Sequence, residues 1–496
     1  MPVSRRVLLR AGAATATAVA VGYRGFGVGG AALADPGVDS SAWQELRQAL
    51  SPAARLVLRG DPTYSERAAV DNQRYAPVLP AGVLACACEA DVQAALRWCA
   101  KHGMPFAPRS GGHNYAGFST TTGLVISLRP MDRVEPRGQR LHLAGGATNS
   151  DVYAARGAGL YFPGGRCGGV GVAGLTLGGG IGFNDRKWGL TCDRLVETHV
   201  VLADGTLVRA AEDENSDLFW ACRGGAGGNF GVNTAFVFDA VPVKSLRATV
   251  FSLTFDLDSS EDVVQELQSL LDSDHTDDLD VRIGFTHKGD GTTQLWVLGQ
   301  RLGPKEDLFR LFRSLLLLRP TRMPTIDERE FWSAQDFLMD KPSTKDCYAS
   351  KSLVPDRWLR PDAVAAIAEW TRTWQPGPGR ATGFVTLFAM GGASARVRPD
   401  ETAFPHRRGR FIIDIGTHWA AGTPEDEVNA LLAQTRAVHN TLRHHLVTDA
   451  AYVNFPDPDL SGWQHAYYGA NHQRLTQVKR HYDPTGLFRY PQAIGN

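Results

Sequence analysis

The chain runs to 496 residues, 43% hydrophobic and 21% charged; this is the make-up of a folded globular protein too long for one core, so two or three domains are expected. Its 52 basic and 52 acidic residues cancel, which excludes the strong net field that would mark a nucleic acid or an anionic membrane surface as partner. Glycine occupies 53 positions, and these cluster, which points to close backbone contact with a ligand.

In chain order, Ser4-Arg5-Arg6-Val7-Leu8-Leu9-Arg10 precedes the weakly apolar run AGAATATAVAVG, and Ala32-Leu33-Ala34 before Asp35 is a small-x-small cleavage site. This predicts a twin-arginine signal peptide over residues 1–34 and a secreted protein. The apolar run is too short to span a bilayer. The segment GVLACACEADVQAALRWCAKHGMPFAPRS predicts strand, helix, strand. Val92, Ala95, Leu96 and Cys99 give the helix its apolar stripe, and Gly103 stops it. GLVISLRPMDRVE and QRLHLAGGA predict further strands, and residues 195–209 a hairpin around Asp204-Gly205. Three glycine loops interrupt this region, at 109–113, 164–182 and 223–231.

Beyond about residue 248 the glycine loops nearly vanish. ATVFSLTFDL, TQLWVLGQRL, FVTLFAM and GRFIIDIGTHW predict strands among amphipathic helices such as 307–319, hence one sheet with helices on one face. The tail adds AYVNFPD, a helix through Trp463, Tyr467, Leu475 and Val478 that Asp483-Pro484 stops, and a short final strand in LFRYPQAI. His444-His445 is expected at a solvated helix end.

Successive backbone N–H groups in glycine turns form concave anion sites, so three such loops imply a long anionic ligand, a dinucleotide. Gly169, Gly171 and Gly174 satisfy G-x-G-x-x-G, with Asp193 about 20 residues on. They follow the turn Pro163-Gly164-Gly165-Arg166-Cys167 and not a buried strand, so the nicotinamide-binding form is set aside. Seven cysteines are an odd number for an exported chain. If Cys167 is chemically occupied, Cys86, Cys88, Cys99, Cys192, Cys222 and Cys347 remain, without zinc spacing and mostly suited to core packing. No specific disulfide and no metal site is predicted, the disulfide pairing being left open, and neither H-E-x-x-H nor a nucleophile elbow occurs.

The motifs PRSGGHNY, GGRCGGVGVAGLTLGGG, DLFWACRGGAGGNFGV, AYVNFPD and YYGANHQRL…VKRHYDP…FRYPQ recur in order from about residue 60 to the C-terminus. In them the chain resembles the berberine bridge enzyme family of vanillyl-alcohol-oxidase-type, or PCMH-type, FAD-binding flavoproteins. The resemblance implies an α+β fold: a two-part FAD-binding domain over 35–248, completed by 446–496, and an α+β substrate domain over 249–445 with a single antiparallel sheet. It implies bicovalent FAD, with His113 bonded to the flavin's 8α-methyl carbon and Cys167 to its 6-position. Arg109, Ser110, Gly111, Gly112 and Asn114 should line the phosphates. Gly171, Gly178, Gly179, Gly180, Gly228, Asn229, Gly231 and Val232 should complete the binding loops, with Tyr490 and Gln492 near the ring. Val170 matches the family's oxygen gate, where valine marks an oxidase and leucine a dehydrogenase.

A flavin that oxidises an alcohol needs a base within about 3 Å of the hydroxyl. Tyr452, in the Y-x-N-Y/F motif, matches the tyrosine that serves in related oxidases. Phe455 replaces a second tyrosine found in many relatives. Asp414 falls where some sugar oxidases pair a carboxylate with the tyrosine, and would accept the phenol's proton as a relay; otherwise it is a strand residue facing solvent. The resemblance therefore implies an oxidase acting on an alcohol or hemiacetal of a sugar or bulky natural product, with O2 reduced to H2O2. The alternatives are a tailoring or drug-resistance flavoprotein dehydrogenase using another acceptor, and a non-catalytic drug-binding flavoprotein. The sequence does not fix the substrate or the oligomeric state.

Overall fold

A computed structural model describes residues 39–340 and 345–495; the expected signal peptide lies outside them. The first strand–helix–strand segment forms as its pattern predicts, with strands Gly82–Ala85 and Phe106–Arg109 around helix Glu89–His102. The Asp91 carboxylate accepts from the Ala87 and Cys88 N–H groups at 2.9 and 3.1 Å, which caps the helix start. Gly103 ends the helix at φ +61°, a left-handed conformation that only glycine adopts freely. Cys86 and Cys88 lie just past the strand rather than in it. These strands join Leu124–Ser127 and Arg55–Leu58 in a four-stranded sheet, where Leu124–Ser127 pairs in parallel with both Gly82–Ala85 and Phe106–Arg109 and Arg55–Leu58 pairs antiparallel with Gly82–Ala85.

A five-stranded antiparallel sheet follows, in the spatial order Val134–Arg137, Arg140–Ala144, Val232–Asp239, Leu195–Val201, Leu207–Ala211. The predicted hairpin at Asp204-Gly205 joins its last two strands. Residues from the tail helices, Tyr467, Tyr468, Leu475 and Val478, pack into the core of this sheet.

Seven strands make the remaining sheet, all antiparallel, ordered Thr325–Glu330, Arg247–Phe255, Thr293–Leu302, Leu279–His287, Thr382–Ala389, Phe411–Trp419, Cys347–Leu353. Helices Ser260–Ser273, Pro361–Thr373 and Glu425–Leu446 cover one face. Alternation along Phe411–Trp419 assigns the two faces: Phe411, Ile413 and Ile415 join the helix-covered core, while Ile412 packs with Phe388, Tyr452 and Phe455 on the other side. Asp414 shares the parity of Ile412 and is buried, so it does not face solvent.

Three local expectations fail. The 307–319 helix breaks into Lys305–Leu311 and Arg313–Leu317 at Phe312, whose buried ring meets Phe251 edge-on at 4.7 Å. The tail helix breaks at Gly469, φ +50°, into Trp463–Tyr468 and His472–Tyr482. No strand forms over 487–494; the Asp483 carboxylate accepts from the Leu487 and Phe488 N–H groups and curls that segment into turns. All seven cysteines are free, and Cys86, Cys99, Cys192, Cys222 and Cys347 are buried as packing residues.

Candidate active site

The three glycine loops and the tail enclose a cavity of about 270 Å³. Arg109, Ser110, Gly111, Gly112, His113 and Asn114 border it from the first loop. Cys167, Val170 and Gly171 do so from the second, Gly228, Gly231 and Val232 from the third, and Tyr452, Tyr490 and Gln492 from the tail. Gly178, Gly179, Gly180, Asn229 and Asp414 do not border it.

The glycines serve a purpose the sequence argument did not give them. A Cβ on Gly111 would overlap the Gly169 carbonyl and the Gly171 nitrogen, and one on Gly171 would overlap Ser110. One on Gly169 would lie 2.7 Å from His113 Nε2. These residues let the first two loops press backbone to backbone, and that contact brings the His113 and Cys167 side chains to one cavity. Gly178 and Gly180 are likewise filled by Asn454 and Thr191. The Gly169-x-Gly171-x-x-Gly174 run starts a six-residue helix from a turn, as expected of a decoy.

Several assigned polar groups hold loops in place. Arg109 spends Nε on the Ser119 carbonyl and Nη1 on those of Arg67, Ala68 and Ala69, leaving Nη2 buried without a partner. Asn229 accepts from the Ile494 N–H and donates to the Gly225 carbonyl, tying the tail to the third loop. Its side chain is a brace, and the residue does not border the cavity.

His113 Nδ1 lies 3.3 Å from the Asp71 carboxylate, which also accepts from Tyr348 Oη at 3.1 Å. Burial pushes Asp71 up, but these two partners outweigh it and hold the carboxyl below its ordinary range. Cys167 Sγ donates to Asp340 Oδ2 at 3.0 Å, and Arg166 pairs with the same oxygen at 3.0 Å. Burial leads in pushing the thiol up to about 12.

Tyr452 Oη accepts from the Gly180 N–H at 2.9 Å and from Asn454 Nδ2 at 3.0 Å. Both donors favour a phenolate, but burial outweighs them and keeps the phenol protonated. Asp414 accepts from Ser350 Oγ, and burial raises it to about 6 against the pull of Ser350, Arg166 and Arg282. No hydrogen bond joins Asp414 to Tyr452 among the described residues, so the expected relay is not assembled. The register decides this: Asp414 lies opposite Ser352 and Thr386 in the sheet, whereas Tyr452 turns toward Gly180.

The phenol that feels Asp414 is Tyr115. Burial, then the Asp414 charge, pushes it well above the usual tyrosine range. Its ring stacks on Phe455 at 5.2 Å and borders both the main cavity and a small adjoining pocket that Ser350 also lines. Tyr115 sits two residues after His113 in the opening motif, so a local signal existed. Asp71 and Asp340 come from distant segments and carry no such signal.

Comparison with known proteins settles the family. A profile described as "FAD binding domain" matches residues 80–211, and one described as "Berberine and berberine like" matches 451–495. An uncharacterized FAD-linked oxidoreductase of Bacillus subtilis is 33% identical over 453 residues, covering 89% of this chain and 96% of its own. The chain belongs to the berberine bridge enzyme-like family of FAD-linked oxidoreductases. A xylooligosaccharide oxidase of Thermothelomyces thermophilus is 30% identical over 84% of this chain and 88% of its own. Among solved structures, a chitooligosaccharide oxidase matches with TM-score 0.81 at 25% identity, over 92% of this chain and 99% of its own.

The cavity of this oxidoreductase fits FAD on its own chemistry. Ser110 Oγ, Arg109 Nη2 and Gln492 Oε1 are buried without partners, and such groups are costly unless something satisfies them. None of the N–H groups of Gly111 to Asn114 donates to another backbone carbonyl among the described residues. A cation, a hydroxyl and a row of N–H groups suit a pyrophosphate.

Proposed function

We propose that this protein is an exported oxidase that holds FAD by two covalent bonds, through His113 and Cys167. It oxidises an alcohol or hemiacetal carbon of an oligosaccharide or a bulky natural product and passes the electrons to dioxygen as hydrogen peroxide. The observation that carries the proposal is the convergence of His113 and Cys167 on one cavity from two loops pressed together by glycines. Relatives named as xylooligosaccharide and chitooligosaccharide oxidases support the substrate class.

Bound FAD supplies the two-electron acceptor for the substrate's carbon-bound hydrogen. The chain supplies the surroundings and the base. Tyr115, Phe388 and Phe455 give the cavity an aromatic side suited to the apolar face of a sugar ring. Tyr115 Oη takes the substrate's hydroxyl proton as it releases its own toward Asp414, which is ionised above about pH 6 and whose charge this phenol feels, although no hydrogen bond joins the two among the described residues. Tyr452 fixes the 178–180 turn through its bond from Gly180. Val170, bordering the cavity three residues after Cys167, leaves room for dioxygen.

Anaerobic mixing with xylo- and chito-oligosaccharides and with bulky aromatic alcohols tests this. One class should bleach the flavin, and air should restore the colour with one peroxide per turnover. Bleaching without peroxide would make the protein a dehydrogenase, and flavin that separates in acid would remove the covalent bonds. Export is tested by replacing Arg5 and Arg6 with lysine, which should leave the protein inside the cell.

A further inference from the structure

Cys167 is more tightly held than cofactor contact alone requires. Asn149 Nδ2 donates to its carbonyl at 2.9 Å. Cys167 and Asp340, far apart in sequence, form an isolated parallel bridge, with the Asp340 N–H donating to the Arg166 carbonyl at 3.0 Å. That bridge sets the Asp340 carboxylate against the thiol, Sγ to Oδ2 at 3.0 Å, and Arg166 Nη1 holds the carboxylate at 3.0 Å from the same oxygen and 3.4 Å from Oδ1. Nothing in substrate oxidation uses this arrangement.

We infer that Asp340 is the base for the cysteine's attachment to the flavin, accepting the Cys167 proton as Sγ bonds to the ring's 6-position. The inference rests on the two-bond reading above. The S–H bond breaks and its proton goes to Asp340; the S–C6 bond forms; the C6 hydrogen leaves as a proton. The ring is left holding two electrons. Dioxygen takes those electrons with two protons and departs as hydrogen peroxide, leaving the ring oxidised and bound.

A carboxylate suits this step even though the free thiol is a far weaker acid. Once sulfur has bonded to carbon, the same proton sits on a thioether and is far more acidic than any carboxylic acid. Arg166 and Arg282 outweigh burial and hold Asp340 below the ordinary carboxylate range, so its affinity for the proton lies between these two limits. The proton therefore crosses during bond formation rather than before it, the condition under which general-base catalysis is effective.

The test uses the full chain carrying His113→Ala, in which Cys167 is the remaining tether. With excess FAD in air, flavin that stays with acid-precipitated protein reports the cysteine bond over time. Adding Asp340→Asn, which keeps the backbone bridge and the side chain's shape, should slow retention by about 100-fold or more. Flavin colour should still co-elute with the native protein, showing that the fold and the cavity survive. Before loading, iodoacetamide should modify Cys167 no more slowly than in His113→Ala alone, because losing the carboxylate lowers the thiol's pKa. Equal retention rates overturn the inference, as does slower alkylation, which would mean lost access. If His113→Ala alone retains no flavin and Cys167 of the unmutated holoprotein alkylates freely, the two-bond reading fails, and this inference with it.

Discussion

The two walls of the cavity are built by different means. The sheet wall satisfies its backbone through seven antiparallel strands, so polar side chains on its inner pleat, such as Asp414 and Ser350, are free to pair with one another behind the cavity's aromatic lining. The glycine-loop wall has no ladder, and a buried backbone without partners is costly. There the polar side chains are drawn into service as staples: Arg109 on four carbonyls, Asn229 on the tail. A polar residue beside a cofactor loop is therefore weaker grounds for a ligand role than one on a strand.

The largest effect should come from pulling a staple. Lys479 Nζ donates to the Asn229 carbonyl at 2.7 Å, the Phe488 carbonyl at 2.8 Å and the Asp483 carboxylate at 2.6 Å, all buried. Lys479→Met keeps the bulk and strands a buried carboxylate, at a cost of about 3–5 kcal/mol. Urea unfolding should show that loss, with non-covalent FAD affinity falling alongside it. Unchanged stability would end the contrast between the walls.

The two phenols sharpen it. Tyr115→Phe should slow anaerobic flavin reduction by about 100-fold or more with the flavin still attached. Tyr452→Phe leaves the Gly180 N–H without its acceptor and should cost about 1–3 kcal/mol of stability, with a smaller effect on rate. The reverse pattern in stopped-flow traces would return the base to Tyr452.

How far the sequence could reach follows from the same contrast. The loop wall is written in contiguous motifs, so SGGHNY and GGRCGG carry the family, the cofactor and the His113–Cys167 pair, because each loop's identity is local. What the motifs could not show is which atoms the glycines admit. Gly111 and Gly169 admit each other's loops, a contact between segments over 50 residues apart. On the sheet wall, period-two alternation in FIIDIGTHW showed the strand, but the surroundings of Asp414 depend on the register with Cys347–Leu353 and on where Tyr115 arrives from the first glycine loop. Phe312 and Gly469 broke helices whose apolar stripes continued unbroken, because a buried ring and a left-handed glycine override periodicity.

The most graded effect is a pH dependence with two opposite signs at one carboxyl. Asp414 must be ionised to receive a proton, and burial raises it to about 6. The reduction rate should therefore fall about tenfold for each unit below that pH. Stability moves the other way. The folded chain binds this proton more tightly than the unfolded chain, whose value is 3.8. The stabilising contribution is full below that value and is lost as pH rises through about 6, some 3 kcal/mol in all. Asp414→Asn removes both slopes: it should flatten the rate profile between pH 5 and 7 while gaining stability relative to the parent at pH 7. If the profile keeps its shape in the variant, the titrating group lies elsewhere, and the sheet wall supplies packing without proton transfer.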